Sequence, residues 1–234
     1  MSMDKIIAAL DYNSGDEALK LVDLLGGKIS FYKVGSVLFT TEGPQMIREL
    51  KKRGKKVFLD LKYHDIPNTV KHAVESAIKL EVDMITLHTL GGYVMMKEAV
   101  SAVKNQDEYK PILLGVTVLT SMREGDLDNI GINRSVEKQV KKLAKAAKNA
   151  GIKGIVCSSH EIETIKHVYK DDELTLVIPG IRPTFAQKGD QKRVATPSEA
   201  FKLGADYLVV GRPITQALDP LEAVEKLESE LCAV

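Results

Sequence analysis

The 234-residue chain is 44% hydrophobic and 28% charged, enough apolar material to bury a full core as one large domain or two small ones. Its 33 basic and 32 acidic residues leave a formal charge of +1, which excludes the global field that would hold a nucleic-acid backbone or an anionic membrane, so any anion site is local. Cys157 and Cys232 do not make a disulfide framework, no apolar run approaches the roughly 18 residues of a membrane span, and the first residues lack a signal-peptide layout, so a cytoplasmic protein is expected.

Strand-like apolar runs begin near Lys5 (KIIAALD), Ile29 (ISFYKVG), Lys56 (KVFLDLK), Asp83 (DMITLHT), Pro111 (PILLGVTVL), Lys153 (KGIVCSS), Thr175 (TLVIPGI) and Tyr207 (YLVVGR). Helical periodicity occupies intervals such as Asp16 to Leu25, Thr69 to Leu80, Val136 to Ala150 and Leu221 to Leu231. Alternation of this kind implies parallel strands joined by crossovers, and eight units predict an α/β fold, a single (β/α)8 TIM barrel over residues 1–234. The competing doubly wound sheet would carry a glycine-rich first turn, whereas the first unit ends Leu10-Asp11-Tyr12-Asn13 and the chain has no G-x-G-x-x-G. Connections are short except Ser121 to Ser135 and Pro183 to Thr196, both polar and both expected at the rim of the barrel mouth. The second carries Gln187, Lys188, Gly189, Asp190, Gln191, Lys192 and Arg193 and reads as a lid able to close over a phosphate.

The ends of the strands converge on one mouth in such a barrel. Strand one ends in Asp11 and strand two in Lys33, each on the face of an otherwise apolar row. Strand three ends Asp60-Leu61-Lys62-Tyr63-His64-Asp65, where period two puts Phe58, Asp60 and Lys62 on one face. Desolvation costs several kcal/mol per ion, so charges gathered at a buried strand end point to a site that uses them. Strands seven and eight end Pro179-Gly180-Ile181-Arg182 and Val210-Gly211-Arg212-Pro213. There glycines permit close backbone approach, arginines supply donor forks and Pro213 opens a helix, a pattern suited to phosphate.

Other signals carry less. His160, Glu161, Glu163 and His167 lack the spacing of H-E-x-x-H, because position 164 is Thr164, and read as a solvated helix face. Cys157 reads as a small core residue, the lysines between Lys138 and Lys148 as a solvated face, and His64 and His88 as hydrogen-bonding or structural groups.

The motif Asp60-x-Lys62-x-x-Asp65-Ile66-Pro67-Asn68-Thr69, with Asp11 and Lys33 before it, closely resembles the bacterial-type orotidine 5'-phosphate decarboxylases. Further matches are His88-Thr89-x-Gly91-Gly92, Val116-Thr117-Val118-Leu119-Thr120-Ser121, Pro179 to Pro183, Asp190-Gln191 and Val210 to Ile214, so the resemblance covers the whole chain. It implies decarboxylation of orotidine 5'-phosphate to UMP in de novo pyrimidine synthesis, without cofactor or metal, by a homodimer. By the same resemblance Lys62 is the proton donor, Asp60 lies beside the leaving CO2, Lys33 links the charged row to the ribose, and Asp11 binds ribose. Asp65 and Thr69 reach into the neighbouring subunit's site, completing the catalytic charged array and contacting a ribose hydroxyl, Ile66 beside them binds substrate, Thr120 and Ser121 lie at the pyrimidine, and Arg182, Gln191, Gly211 and Arg212 at the phosphate. The sister enzymes hexulose-phosphate synthase and keto-gulonate-phosphate decarboxylase share the Asp-x-Lys-x-x-Asp scaffold. They place a glutamate ligand for Mg2+ at the end of strand two, where this chain has Lys33.

Overall fold

In a computed structural model that describes residues 3–170, 173–186 and 195–232, all eight expected strands form and close on themselves. They are β1 (Ile6–Ala9), β2 (Phe31–Gly35), β3 (Lys56–Tyr63), β4 (Met84–His88), β5 (Ile112–Val116), β6 (Gly154–Val156), β7 (Thr175–Ile178) and β8 (Tyr207–Val210). Every neighbouring pair is parallel, and β8 returns to β1 with Val209 opposite Ile7.

The helices are α1 (Gly15–Leu25), α2 (Ser36–Glu42), α3 (Pro44–Lys52), α4 (Pro67–Ile78), α5 (Gly92–Lys104), α6 (Glu124–Asn129), α7 (Val136–Ala150), α8 (Ile162–Tyr169), α9 (Pro197–Leu203), α10 (Arg212–Thr215) and α11 (Pro220–Cys232). Local chemistry sets their ends. The Ser135 side chain accepts from the backbone N–H of Lys138 to open α7, and Gly151, at φ 91°, closes it in a left-handed turn. Thr196 and Glu199 cap one another reciprocally at the start of α9. None of the helices among the described residues is long and apolar enough to cross a membrane.

Alternation along the strands divides the core in two. Ile7, Ala9, Phe31, Phe58, Met84, Leu114, Val177 and Val209 fill the barrel interior, while the opposite strand faces pack against the helices in a larger outer cluster. Two aspartates fasten the end of the barrel remote from its mouth. Asp83, just before β4, accepts the Val57 N–H at 2.7 Å and gives its own N–H to the Val57 carbonyl. Asp206, just before β8, holds Leu176 in the same way, at 2.8 Å.

Two local features depart from expectation. The polar connection after β5 contains α6, because Asp126 accepts the Arg123 N–H at 2.8 Å and Leu127 is buried, which together pin a turn that composition alone reads as loop. The second is in β3, whose pairing with β4 slips: Leu59 lies opposite Ile85 but Tyr63 lies opposite Leu87. Residues 60–62 therefore form a bulge, and Lys62 takes a φ of 49°, a left-handed conformation uncommon for a residue with a side chain.

Candidate active site

Barrel-interior parity carries Asp11, Lys33 and Asp60 upward from the apolar rows of Ile7 and Ala9, of Phe31, and of Phe58. Lys33 lies at the middle of β2 rather than at its end, opposite Ala9 on one side and Phe58 on the other. Its ammonium reaches the mouth along its own four-carbon stem. There it lies 2.9 Å from Asp11 Oδ1 and 3.7 Å from Asp60 Oδ2, and Lys62 Nζ donates to Asp60 Oδ1 at 2.9 Å. The four groups form one row of alternating sign.

The inner pair is nearly dry, with side-chain exposures of 12% for Lys33 and 13% for Asp60, whereas Asp11 at 59% and Lys62 at 38% open to solvent. Burying either inner ion costs several kcal/mol. One opposite charge at about 4 Å returns roughly 4 kcal/mol at an effective dielectric near 20. A single partner therefore barely balances the cost, and each inner ion has two: Lys33 between two carboxylates, Asp60 between two ammoniums.

Two neighbours not singled out in the sequence complete this arrangement. Thr86 on β4 is fully buried; its hydroxyl accepts the backbone N–H of Lys62 at 2.9 Å and donates to Asp60 Oδ1 at 3.0 Å. Gly35 ends β2 directly beneath the row, where a β-carbon would stand 2.9 Å from Lys33 Nζ and 3.5 Å from Asp11 Oδ1. A threonine in an apolar strand carries no signal beyond β-propensity. The glycine could have been found by asking why a strand ends K-V-G under a charged residue.

Beside the row, a cavity of about 340 Å³ is walled by Asp11, Lys33, Gly180, Arg182, Gly211 and Arg212. The phosphate-type residues of β7 and β8 thus share one space with the charged row because β8 pairs with β1. Gly180, at φ 78°, makes the turn that brings the Arg182 segment to this wall. The helix opened by Pro213 is only four residues long, so the arginines carry the charge of this wall.

Not every expected residue meets the row. Asp65 is exposed and its carboxylate accepts the Ile66 N–H at 2.7 Å; among the described residues it makes no ion pair with Lys62. Ile66 is 67% exposed and Thr69 is exposed on the first turn of α4. Thr120 is half-buried and Ser121 exposed in the connection after β5, outside the walls of the mouth cavity. Gln191, with most of the proposed lid, lies outside the described residues.

The histidines flank the row. His64 and His88 stack with centroids 5.4 Å apart, and the Leu90 N–H donates to His88 Nδ1 at 3.3 Å. Burial, then His64, then Lys62 hold the His88 pKa below its ordinary value. Cys157 is buried, as expected, and burial together with Glu161 pushes its thiol pKa well up, away from the thiolate that a nucleophile needs. Glu161 corrects the reading of a solvated face: it is buried, and its carboxylate accepts the Ser158 N–H at 2.9 Å, because a capping position draws it inward.

Comparison with known proteins agrees with this geometry. Residues 4–227 match the model of the orotidine 5'-phosphate decarboxylase / HUMPS family. The orotidine 5'-phosphate decarboxylase of Actinobacillus succinogenes is 49% identical over 98% of this chain and 99% of its own length. That of Vibrio atlanticus is 46% identical over 99% and 100%. Among solved structures, orotidine 5'-phosphate decarboxylase from Lactobacillus acidophilus superposes with a TM-score of 0.84 at 36% identity, covering 97% of this chain and 98% of that one. An uncharacterized conserved protein from Geobacillus kaustophilus superposes with the same score at 35% identity, covering 96% and 99%. With its closed parallel barrel, its alternating row drawn from the first three β-units and its arginine wall at β7 and β8, the chain belongs to the orotidine 5'-phosphate decarboxylase / HUMPS family.

Proposed function

We propose that this chain decarboxylates orotidine 5'-phosphate to UMP in de novo pyrimidine synthesis, without metal or organic cofactor. The observation that carries the reading is the Asp11-Lys33-Asp60-Lys62 row. Loss of CO2 from C6 of the pyrimidine leaves an electron pair on a carbon with little resonance delocalisation, so a fixed ammonium at that carbon is the most direct stabilisation available. Lys62 supplies it: as the C6–CO2 bond breaks its charge faces the developing carbanion, and its Nζ proton then passes to C6. Asp60 aims Lys62 through their 2.9 Å ion pair, and Lys33 bridges Asp11 and Asp60 and reaches the ribose. Asp11 binds the ribose, Arg182, Gln191, Gly211 and Arg212 hold the phosphate, and Thr120 and Ser121 meet the pyrimidine. Phosphate binding lies away from the bond that breaks and contributes by fixing the base against the row.

Residues 1–234 act as one catalytic domain in a cytoplasmic homodimer. The exposure of Asp65 and Thr69 on one chain supports their placement at the partner's mouth. The Mg2+-dependent members of the wider family are disfavoured by Lys33, an ammonium where they carry a metal-binding glutamate.

The test is turnover of orotidine 5'-phosphate, followed by ultraviolet absorbance, in excess EDTA. Full activity is expected, with Lys62→Ala abolishing turnover while UMP still binds. Activity lost in EDTA and restored by Mg2+ overturns the cofactor-free reading, and normal turnover by Lys62→Ala overturns the proton-donor assignment.

A further inference from the structure

We propose that Thr86 is a positioning residue for this reaction, holding the Asp60 carboxylate and the Lys62 backbone in a single closed loop of hydrogen bonds; the proposal rests on the decarboxylase reading above. An ionised carboxylate only accepts, so the direction of both Thr86 bonds is fixed. The hydroxyl proton goes to Asp60 Oδ1 at 3.0 Å, and an oxygen lone pair takes the Lys62 N–H at 2.9 Å. Lys62 Nζ closes the loop by donating to the same Oδ1 at 2.9 Å. Lys62 is thus tied to one oxygen atom from both ends, through its side chain directly and through its backbone by way of Thr86.

The bulge makes this loop necessary. Because β3 slips against β4 between Leu59 and Tyr63, the Lys62 N–H has no carbonyl of the ladder opposite it. The left-handed φ of 49° is a costly conformation that persists only when its surroundings determine it. A fully buried hydroxyl at position 86 supplies the missing partner and spends its own proton on the carboxylate that aims Lys62. Oδ1 then carries two donors, and Oδ2 is left facing Lys33 across 3.7 Å. Thr86 thereby decides which carboxylate oxygen meets Lys33 and where the proton-donating ammonium starts.

Thr86→Val keeps the shape and removes the hydroxyl; Thr86→Ser keeps the hydroxyl and removes the methyl. The expected result for Thr86→Val, per UMP-binding site, is a fall in kcat of about 10- to 100-fold, the scale of an ångström-level misplacement. UMP affinity should stay within about threefold, since the phosphate wall is untouched. Thr86→Ser should return most of kcat. Thr86→Ala replaces Thr86→Val if the latter does not accumulate as folded protein. Crystal structures of the wild type and the hydroxyl-less variant are the second readout, with Asp60 χ2 and Lys62 φ expected to move. Wild-type kcat in the variant, failure of Thr86→Ser to restore it, or loss of UMP affinity in proportion to kcat each overturns the positioning role. If the wild-type chain does not turn over orotidine 5'-phosphate, the functional reading falls by itself, and the crystal structures still decide the loop: unchanged Asp60 and Lys62 geometry overturns it.

Discussion

Gly35→Ala should cripple this enzyme without destabilising it. The added β-carbon would stand 2.9 Å from Lys33 Nζ and 3.5 Å from Asp11 Oδ1. Non-bonded carbon contacts settle near 3.5–4.0 Å, so the ammonium must retreat by at least roughly 0.5 Å. It has little slack, since it now lies 2.9 Å from one carboxylate and 3.7 Å from the other. A shift of half to one ångström in a reacting array costs about 10- to 100-fold, and that is the expected loss in kcat. The backbone at Gly35, φ −96° and ψ −176°, is extended and open to alanine, so no strain is added. Removing a glycine from the unfolded chain contributes about 0.4–1 kcal/mol in favour of folding, and the thermal midpoint should hold or rise. Turnover by ultraviolet absorbance beside a thermal melt tests both halves. Wild-type kcat refutes the claim that Lys33 is held by the lack of a side chain beneath it, and a fall in midpoint of several degrees shows the effect to be one of folding.

Mixing Lys62→Ala with Asp65→Ala should restore about a quarter of wild-type activity at statistical subunit exchange, because half the dimers are then hybrids and each has one intact site; no regain despite demonstrated exchange places Asp65 in its own chain's site. His88 should titrate below the ordinary 6.5 in nuclear magnetic resonance, since burial, His64 and Lys62 all oppose its charge. Its folded pKa is depressed, so its contribution to stability is complete above the unfolded value and is lost as pH falls through the folded one. His88→Gln should remove that share of the acid sensitivity, and a His88 midpoint above 6.5 contradicts the assignment. Ellman's reagent should modify one thiol quickly in the folded protein, the exposed Cys232, and reach buried Cys157 only in denaturant; two fast thiols would show that β6 opens readily.

The barrel was legible because its cues are local: each strand is a short apolar run, each crossover a periodic one, and the expected span of α7, Val136 to Ala150, is the observed one. The charged row was legible through strand parity, which put Asp11, Lys33, Asp60 and Lys62 on inward faces. Parity succeeded for Lys62 partly by accident, since it assumes a regular strand and β3 bulges there. A bulge is set by pairing with a strand more than twenty residues away, and neither partner announces it in its own sequence. Thr86 stayed hidden for that reason: its importance exists only once β3 has slipped against β4. Glu161 went astray for a related one, as its neighbours have the composition of a wet helix while its carboxylate serves a cap. Among the described residues Asp65, Ile66 and Thr69 do not join the charged row, and geometry alone assigns them only exposure.

The pairing of β1 with β8 has a temporal consequence. The reacting charges come from the first three strands, and the arginine wall from the last two. On the ribosome the first group emerges early, with its like and unlike charges solvated and harmless. It acquires a binding wall only when Val209 seats beside Ile7. The seam that cannot form before the last strand is made is therefore also the one that turns a set of hydrated ions into a site, and a chain stalled before β8 would carry the charged row without a complete wall to hold a substrate against it.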